Sequence, residues 1–395
     1  MISRNYAAEA IEAATEGKLV YCKFLSANDT GLTGGHQAGI YISKPSIPIL
    51  FDEPGQKGEI KEKWVEIEWQ NNLITKTRFI YYGQKTRNEY RITNFGKGFP
   101  FLRHEYTGAL FILVKNTEIS YRGFVLNSEE EIEEFLDAFG IGPTSTNRLI
   151  DTELIRPEKK EQFEMESFIS TLKDEFPSSD IMSSAARSIN QKVFHNKDMI
   201  INNPDKILIE WTDSEYRLFR YLEHVRYMGM IVNGFDDVES FVSMANQVLN
   251  RRKSRAGKSL EHHLAALFDE NGIHYTAQPV TEGNKRPDFV FPSEEAYHDS
   301  NFPSDRLVTL AAKTTCKDRW RQVINEADRL RGRDKFLCTL QQGISPAQMD
   351  EMQSERVILV VPEEYIKTYP SDRRDRIWTI KRFVKYVKEM QAGLY

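Results

Sequence analysis

The apolar pattern of this chain changes period once, near residue 150, and that change constrains its fold more than any other feature. Before it, β-branched and aromatic residues come in short runs at 18–25, 37–43, 63–70, 73–82, 107–114 and 117–126. Glycine-rich or polar connections separate them, which is the pattern of strands joined by turns. A single helix is expected at the end of the set, where Ser128 and Glu131 form a capping box and Gly140 supplies a stop. The reading for residues 1–150 is a mainly-β, antiparallel, barrel-like domain. Residues 151–166 are charged and lack a repeating apolar face, which marks a linker. From 167 to 395 the apolar residues first recur at three- and four-residue spacing. From Lys258 the order becomes helix, three strands, helix, strand, helix, strand and a last helix, the pattern of a mixed α/β sheet covered on both faces.

Length supports the division, because 395 residues exceed one comfortable core. No apolar run reaches membrane-spanning length, and the first residues lack the apolar centre of a signal peptide. Three cysteines, Cys22, Cys316 and Cys338, form no CxxC pair and leave an odd count, so a reducing cytoplasm is expected and a disulfide scaffold is not. The net charge of −5 does not advertise nucleic-acid binding, but charge is unevenly spread.

Chemistry is concentrated in the second region. Asp288 opens one apolar run (PDFVFP), Lys313 closes another (RLVTLAAK), and Glu326 follows within WRQVINEADRL. Acids and an amine on adjacent strands and a helix form a minimal kit for Mg²⁺-dependent phosphodiester hydrolysis: carboxylates hold a hard cation and lysine orients the attacking water. Many nucleases of this layout carry the second acid two residues before the lysine. That position is Ala311 here, so Glu326 is the expected substitute, placed on a helix that starts near Asp318. Glu261, on the helix KSLEHHLAALF, is a further candidate acid. Each of these residues alone has an ordinary structural reading as a turn former, a strand end or a helix-surface acid, and only the set points to chemistry.

Cations flank the set. Lys317, Asp318 and Arg319 follow Lys313, a combination suited to reading C·G pairs, since Arg and Lys pair with guanine and Asp accepts from cytosine. Arg251, Arg252, Lys253 and Arg255 form a basic run suited to clamping DNA phosphates. The Ala256–Ser259 stretch looks like the end of a phosphate loop, but its first glycine would fall at Arg252 and no strand precedes it, which argues against ATP. In the first domain, Lys85, Arg87, Asn88, Glu89 and Arg91 alternate on an extended segment, and Asn28, Asp29 and His36 lie in polar loops, so two arms could grip a groove.

These blocks together resemble the EcoRII family of type II (IIE) restriction endonucleases. The resemblance rests on RRKSRAGKSLE (251–261), TEGNKRPDFVFPS (281–293), KTTCKDRWRQ with INEAD (313–328), LSANDTGLTGGHQ (25–37) and KTRNEYRIT (85–93), in order through nearly the whole chain. It implies a PD-(D/E)XK nuclease domain with a permuted site of Glu261, Asp288, Lys313 and Glu326, where Asp288 and Glu326 bind Mg²⁺. It also implies that Tyr216 and the Lys317–Arg319 segment contact DNA, and that the N-terminal part is a pseudobarrel binding a second, effector DNA through the two arms. Members of the family cut double-stranded CCWGG-like sites ahead of the first cytosine and dimerise through the nuclease domains. The N-terminal domain can occlude the nuclease cleft, and a cognate DNA cytosine methyltransferase protects host DNA. This chain departs from the pattern at Trp211-Thr212-Asp213, where the relative has arginines, and at Tyr90, where it has a lysine. Two other readings compete: a sequence-specific DNA-binding regulator with an inactive nuclease fold, and a repair or junction nuclease governed by DNA structure.

Overall fold

The computed structural model describes residues 5–32, 39–150, 159–256 and 258–394. The first domain is an eight-stranded sheet in the order β2-β5-β4-β3-β7-β6-β1-β8. Its strands are β1 (Leu19–Phe24), β2 (Ile40–Ile42), β3 (Ile60–Trp69), β4 (Leu73–Tyr82), β5 (Glu89–Thr93), β6 (Leu110–Lys115), β7 (Ser120–Leu126) and β8 (Arg148–Ile150). All neighbours are antiparallel except the pair β3 and β7, which run parallel. Alternation along β1 explains how one sheet buries both faces. Tyr21 joins an aromatic core with Trp69, Phe79, Tyr81 and Phe111, while Val20, Cys22 and Phe24 face the helices α1 (Tyr6–Glu16) and α2 (Glu129–Phe139).

Helix α2 begins and ends as its sequence dictates. The Ser128 hydroxyl accepts the Glu131 N–H at 3.3 Å, and Gly140 takes the left-handed conformation that releases the chain. Three features differ from the expectation. Helix α1 is present, its Ala7, Ala10, Ala13 and Ala14 face buried against the sheet, an alanine stripe too weakly hydrophobic to stand out. The segment Glu89–Thr93 is a mostly buried strand, where a charge-rich exposed arm was expected. Strand β8 is short and was not anticipated.

Residues 151–158 of the expected linker lie outside the described residues, but its remainder is already folded. Helix α3 (Lys159–Thr171) buries Met165, and its Glu161 accepts from the Arg217 guanidinium at 2.7 Å. Then follow α4 (Ser179–Phe194), α5 (Met199–Asn202), the long α6 (Pro204–Asn233), α7 (Val238–Ala256) and α8 (Ser259–Glu270). A five-stranded sheet is ordered β13-β12-β11-β10-β9, from β9 (Thr276–Ala277), β10 (Phe289–Phe291), β11 (Val308–Lys313), β12 (Lys335–Thr339) and β13 (Val357–Val360). β9, β10 and β11 pair antiparallel; β11, β12 and β13 pair parallel. Short helices α9 (Glu294–His298), α10 (Trp320–Val323), α11 (Pro346–Ser354) and α12 (Glu363–Ile366) connect them, and α13 (Ile380–Gln391) closes the chain.

Both sheet faces are covered. Leu310 and Ala312 of β11 pack with Leu260, Leu264 and Phe268 of α8 and with Phe383 of α13, whereas Ala311 packs with Trp320, Val323 and Met349 on the other side. Ala311 is therefore core, which is why no acid stands there. The helix expected to carry Glu326 stops at Val323, and the chain reaches Glu326 in a bend.

Candidate active site and nucleic-acid interface

Three elements bring the acids and the lysine together. Asp288 immediately precedes β10, and its carboxylate is 6% exposed. Its Oδ2 accepts the Ala312 N–H across the sheet at 2.7 Å, which fixes the rotamer. Lys313 leaves the end of β11 with its Nζ 3.5 Å from the same oxygen. Glu261 reaches the site from the first turn of α8. A carboxamide that sequence reasoning missed joins the acids: Gln278 Nε2 donates to Glu261 Oε2 at 2.8 Å and to Asp288 Oδ1 at 3.0 Å.

Glu326 is held without a helix. The Thr281 hydroxyl donates to the Glu326 carbonyl at 2.6 Å, and Glu282 accepts the N–H groups of Asp328 and Arg329, each at 3.1 Å. Burial first, and then the charge of Asp288, pushes the Glu326 carboxyl up to about 7, with Lys313 opposing. The same two causes raise Glu261 to about 6, opposed by the Gln278 bond and by Lys313. Asp288 raises both carboxyls, which places them around a common space with it. All donors there are hard oxygens, which fits a divalent cation of the Mg²⁺ type. Among the described residues no three His, Cys, Asp or Glu side chains converge tightly enough to enclose an ion. Asp288 and Glu326 would therefore hold the cation with water and phosphate oxygens completing its shell, the usual habit of Mg²⁺.

Of the expected base readers Lys317 is buried, while Asp318 and Arg319 are exposed but engaged by the first domain. Lys317 is 2% exposed, its Nζ bonds Asn127 of the first domain, and burial lowers its pKa to about 8. Helix α2 lies against this segment. Glu129 Oε2 accepts the backbone N–H groups of Lys317, Asp318 and Arg319 at 3.2, 3.0 and 3.1 Å, and its Oε1 accepts Arg319 Nε at 2.8 Å. Asp318 in turn accepts the Glu129 N–H at 3.4 Å. One turn on, Glu133 accepts the Thr315 hydroxyl at 2.8 Å and pairs with Arg319. The cavity left between the domains, about 230 Å³, is lined by Glu133, Asp137, Tyr216, Lys253, Lys313 and Arg319 among others.

Tyr216 is buried in the same interface: a Cβ added to Gly142 would fall 2.3 Å from its ring. The Arg255 guanidinium lies 3.7 Å from the Tyr216 ring centroid, and Arg255 is itself buried. The basic run is therefore mostly internal, contrary to the expected solvent-facing clamp. Arg251 pairs with Glu175 at 2.7 Å, and Arg252 grips Glu223 at 2.8 and 3.0 Å and bonds the Ala138 carbonyl of α2. Lys253 is the exposed member. Local charge density could not have revealed this, because the partners Glu175, Glu223 and Glu215 are distant in sequence.

In the first domain Lys85, Arg87 and Asn88 are exposed, while Glu89 is half-buried and pairs with Arg91 at 3.3 Å. Asp29 is buried, accepting Lys23 Nζ at 2.7 Å and the Tyr41 N–H at 2.9 Å, so it shapes the loop and does not present a carboxylate. Arg91 is buried too, and Asn28 is half-buried; His36 lies outside the described residues. The two departures are core residues: Tyr90 stacks on Tyr81 with centroids 4.6 Å apart, and Trp211 is fully buried. Asp213 receives the Ser145 hydroxyl at 3.3 Å, another contact between the domains.

Comparison with known proteins matches both parts. The family model described as EcoRII C terminal covers residues 219–384, and the one described as restriction endonuclease EcoRII, N-terminal, covers residues 14–149. The type II restriction enzyme EcoRII of Escherichia coli is 37% identical over 97% of this chain and 97% of its own length. The type II restriction enzyme SsoII of Shigella sonnei is 24% identical over 49% of this chain and 72% of its own. Among solved structures, metal-depleted Ecl18kI with uncleaved, modified DNA aligns with a TM-score of 0.46 and 21% identity, over 59% of this chain and 83% of that one. The PspGI–substrate DNA complex aligns at 0.43 and 16%, over 55% and 95%. With nearly full-length similarity and both domain types in order, the chain belongs to the EcoRII family of type II restriction enzymes.

Proposed function

We propose that this chain cuts both strands of DNA at a CCWGG-like site in a Mg²⁺-dependent reaction, and that its N-terminal domain binds a second site and restrains the nuclease until it does. The observation that carries the first part is the convergence of Asp288, Lys313, Glu261 and Glu326 at the end of β11. A Mg²⁺ ion held by Asp288 and Glu326 would supply positive charge beside the scissile phosphate. Lys313, partly exposed and beside Asp288, orients the attacking water against the scissile phosphate. Asp288 keeps Oδ1 toward the site because Oδ2 is committed to Ala312 and Lys313. Without a cation, burial and Asp288 raise the Glu326 and Glu261 carboxyls, and a bound cation would oppose that rise.

The Lys317, Asp318 and Arg319 side chains suit C·G recognition. They can read bases only after Glu129, Glu133 and Asn127 leave, which supports autoinhibition by α2. A near-palindromic target calls for a two-fold protein. The far end of the α6–α7 hairpin carries exposed Met228, Ile231, Val232, Val238, Phe241 and Val242, an apolar surface that supports dimerisation through the nuclease domain.

Replacing Lys313→Ala tests the reading. The variant should bind cognate duplex in Ca²⁺ and fail to cut it in Mg²⁺. Cleavage by K313A at the wild-type rate would remove Lys313 from the mechanism, and absence of cleavage by the wild type on a plasmid carrying two sites would favour a DNA-binding regulator.

A further inference from the structure

Gln278 follows β9 in an irregular stretch with a φ of 51°. A residue with a Cβ rarely adopts that left-handed conformation, and it persists where the surroundings impose it. Asp288 is that surrounding. The Gln278 backbone N–H donates to the Asp288 carbonyl at 3.0 Å, and the carboxamide of the same residue donates to Asp288 Oδ1 at 3.0 Å and Glu261 Oε2 at 2.8 Å. An amide nitrogen has two hydrogens, so each carboxylate takes one. The side chain is exposed, so burial of its own surface does not account for its placement.

We propose that Gln278 is a positioning residue of the active site: its carboxamide sets the separation and orientation of Glu261 and Asp288 so that both face the divalent cation and the scissile phosphate together. Without it, two like charges on separate elements, the first turn of α8 and the start of β10, would repel and Glu261 would swing toward solvent. The amide is a neutral donor, so a cation can displace it from Asp288 Oδ1 without stranding a charge. Glu261 is thereby held beside the proposed cation ligand Asp288, although the two stand on separate elements. This inference rests on the metal-dependent nuclease reading above.

Two substitutions test it. Gln278→Ala keeps the Cβ and the backbone demand at φ 51° and removes only the carboxamide. Gln278→Gly also relieves the backbone, so it should melt no lower than the wild type. The readouts are the Ca²⁺ concentration that half-saturates tightening of cognate duplex binding, followed by fluorescence anisotropy without cleavage, and the Mg²⁺ midpoint of cleavage. Loss of groups that orient metal ligands typically weakens metal affinity about 10–100-fold. Both variants should raise both midpoints by about tenfold or more on that basis, with the rate at saturating Mg²⁺ changed far less and duplex binding without cation unchanged. If the wild type cuts, K313A does not, and both Gln278 variants keep wild-type midpoints, the positioning role is overturned while the nuclease reading stands. If the wild type itself shows no divalent-dependent cutting, the inference falls with the reading beneath it.

Discussion

If the first domain restrains the nuclease as proposed, Glu129 is the contact to perturb. It is 3% exposed and its carboxylate receives three backbone N–H groups and the Arg319 guanidinium from the opposite domain. Arg319 is 44% exposed at its side chain, so its ion pair is screened and adds little. The Lys317 amide is buried and those of Asp318 and Arg319 partly so, and each bond to a charged acceptor contributes roughly 1.5–3 kcal/mol. Removing the carboxylate by Glu129→Ala leaves them without partners in the closed state but free to hydrate in the open one. Breaking a buried charged cluster at one partner costs about 3–5 kcal/mol, so the closed-to-open ratio should fall by about two to four orders of magnitude. Glu129→Gln keeps the shape and an accepting oxygen and loses only the charge, for about 1 kcal/mol and roughly a fivefold shift. Ser128 still caps α2 in both variants, so the N-terminal domain should stay folded. The assay is cleavage of a plasmid with one site in Mg²⁺, with and without an effector oligonucleotide. The expected order without effector is E129A fastest, then E129Q, then wild type, with effector binding intact in all three. Equal rates and an unchanged need for effector would refute the assignment of Glu129 as the anchor of the closed state.

Three further outcomes follow from the same interface. A nuclease fragment beginning at residue 159 should cut single-site plasmid faster than the full chain; retained dependence on the number of sites would show that restraint lies elsewhere. Gly108→Ala should open the domains, because its Cβ would fall 2.0 Å from the Gly343 carbonyl oxygen at a φ of +81°; a scattering profile identical to wild type would contradict this. Asp137 faces the cavity with Glu133, Lys253, Arg252 and Arg255 around it, and burial pushes its carboxyl up to about 6 against the pull of Arg255. A raised carboxyl favours the docked state while it is neutral, so its contribution is complete below about pH 4 and lost as pH rises to about 6. Small-angle scattering should show the wild type expanding over that window and Asp137→Asn expanding less.

Much of the local structure was legible because its causes are local. The β-branched and aromatic runs of β1, β4, β6 and β7, the Ser128 cap and Gly140 stop of α2, and the apolar stripe of α8 each depend on neighbours a few residues away. The acid–lysine set was legible for the same reason, since Asp288 and Lys313 sit at the ends of apolar runs that had to be strands. Glu326 was expected on a helix, but Val323 ends that helix, and Thr281 and Glu282, far back in the chain, hold the bend that carries it.

The chain alone determined a mainly-β first part, an α/β second part and the inventory of acids, amine and cations. Only tertiary structure decided which of those groups stay accessible. Arg252, Arg255, Lys317, Asp29 and Arg91 read as free polar side chains in one dimension, and each is partnered and partly or fully buried once folded. Burial and ion pairing depend on what the rest of the chain brings alongside, and for Lys317 and Arg319 that is a helix almost two hundred residues earlier. Periodicity carries no record of such a contact, because the acidic face of α2 serves equally well against water and against another domain.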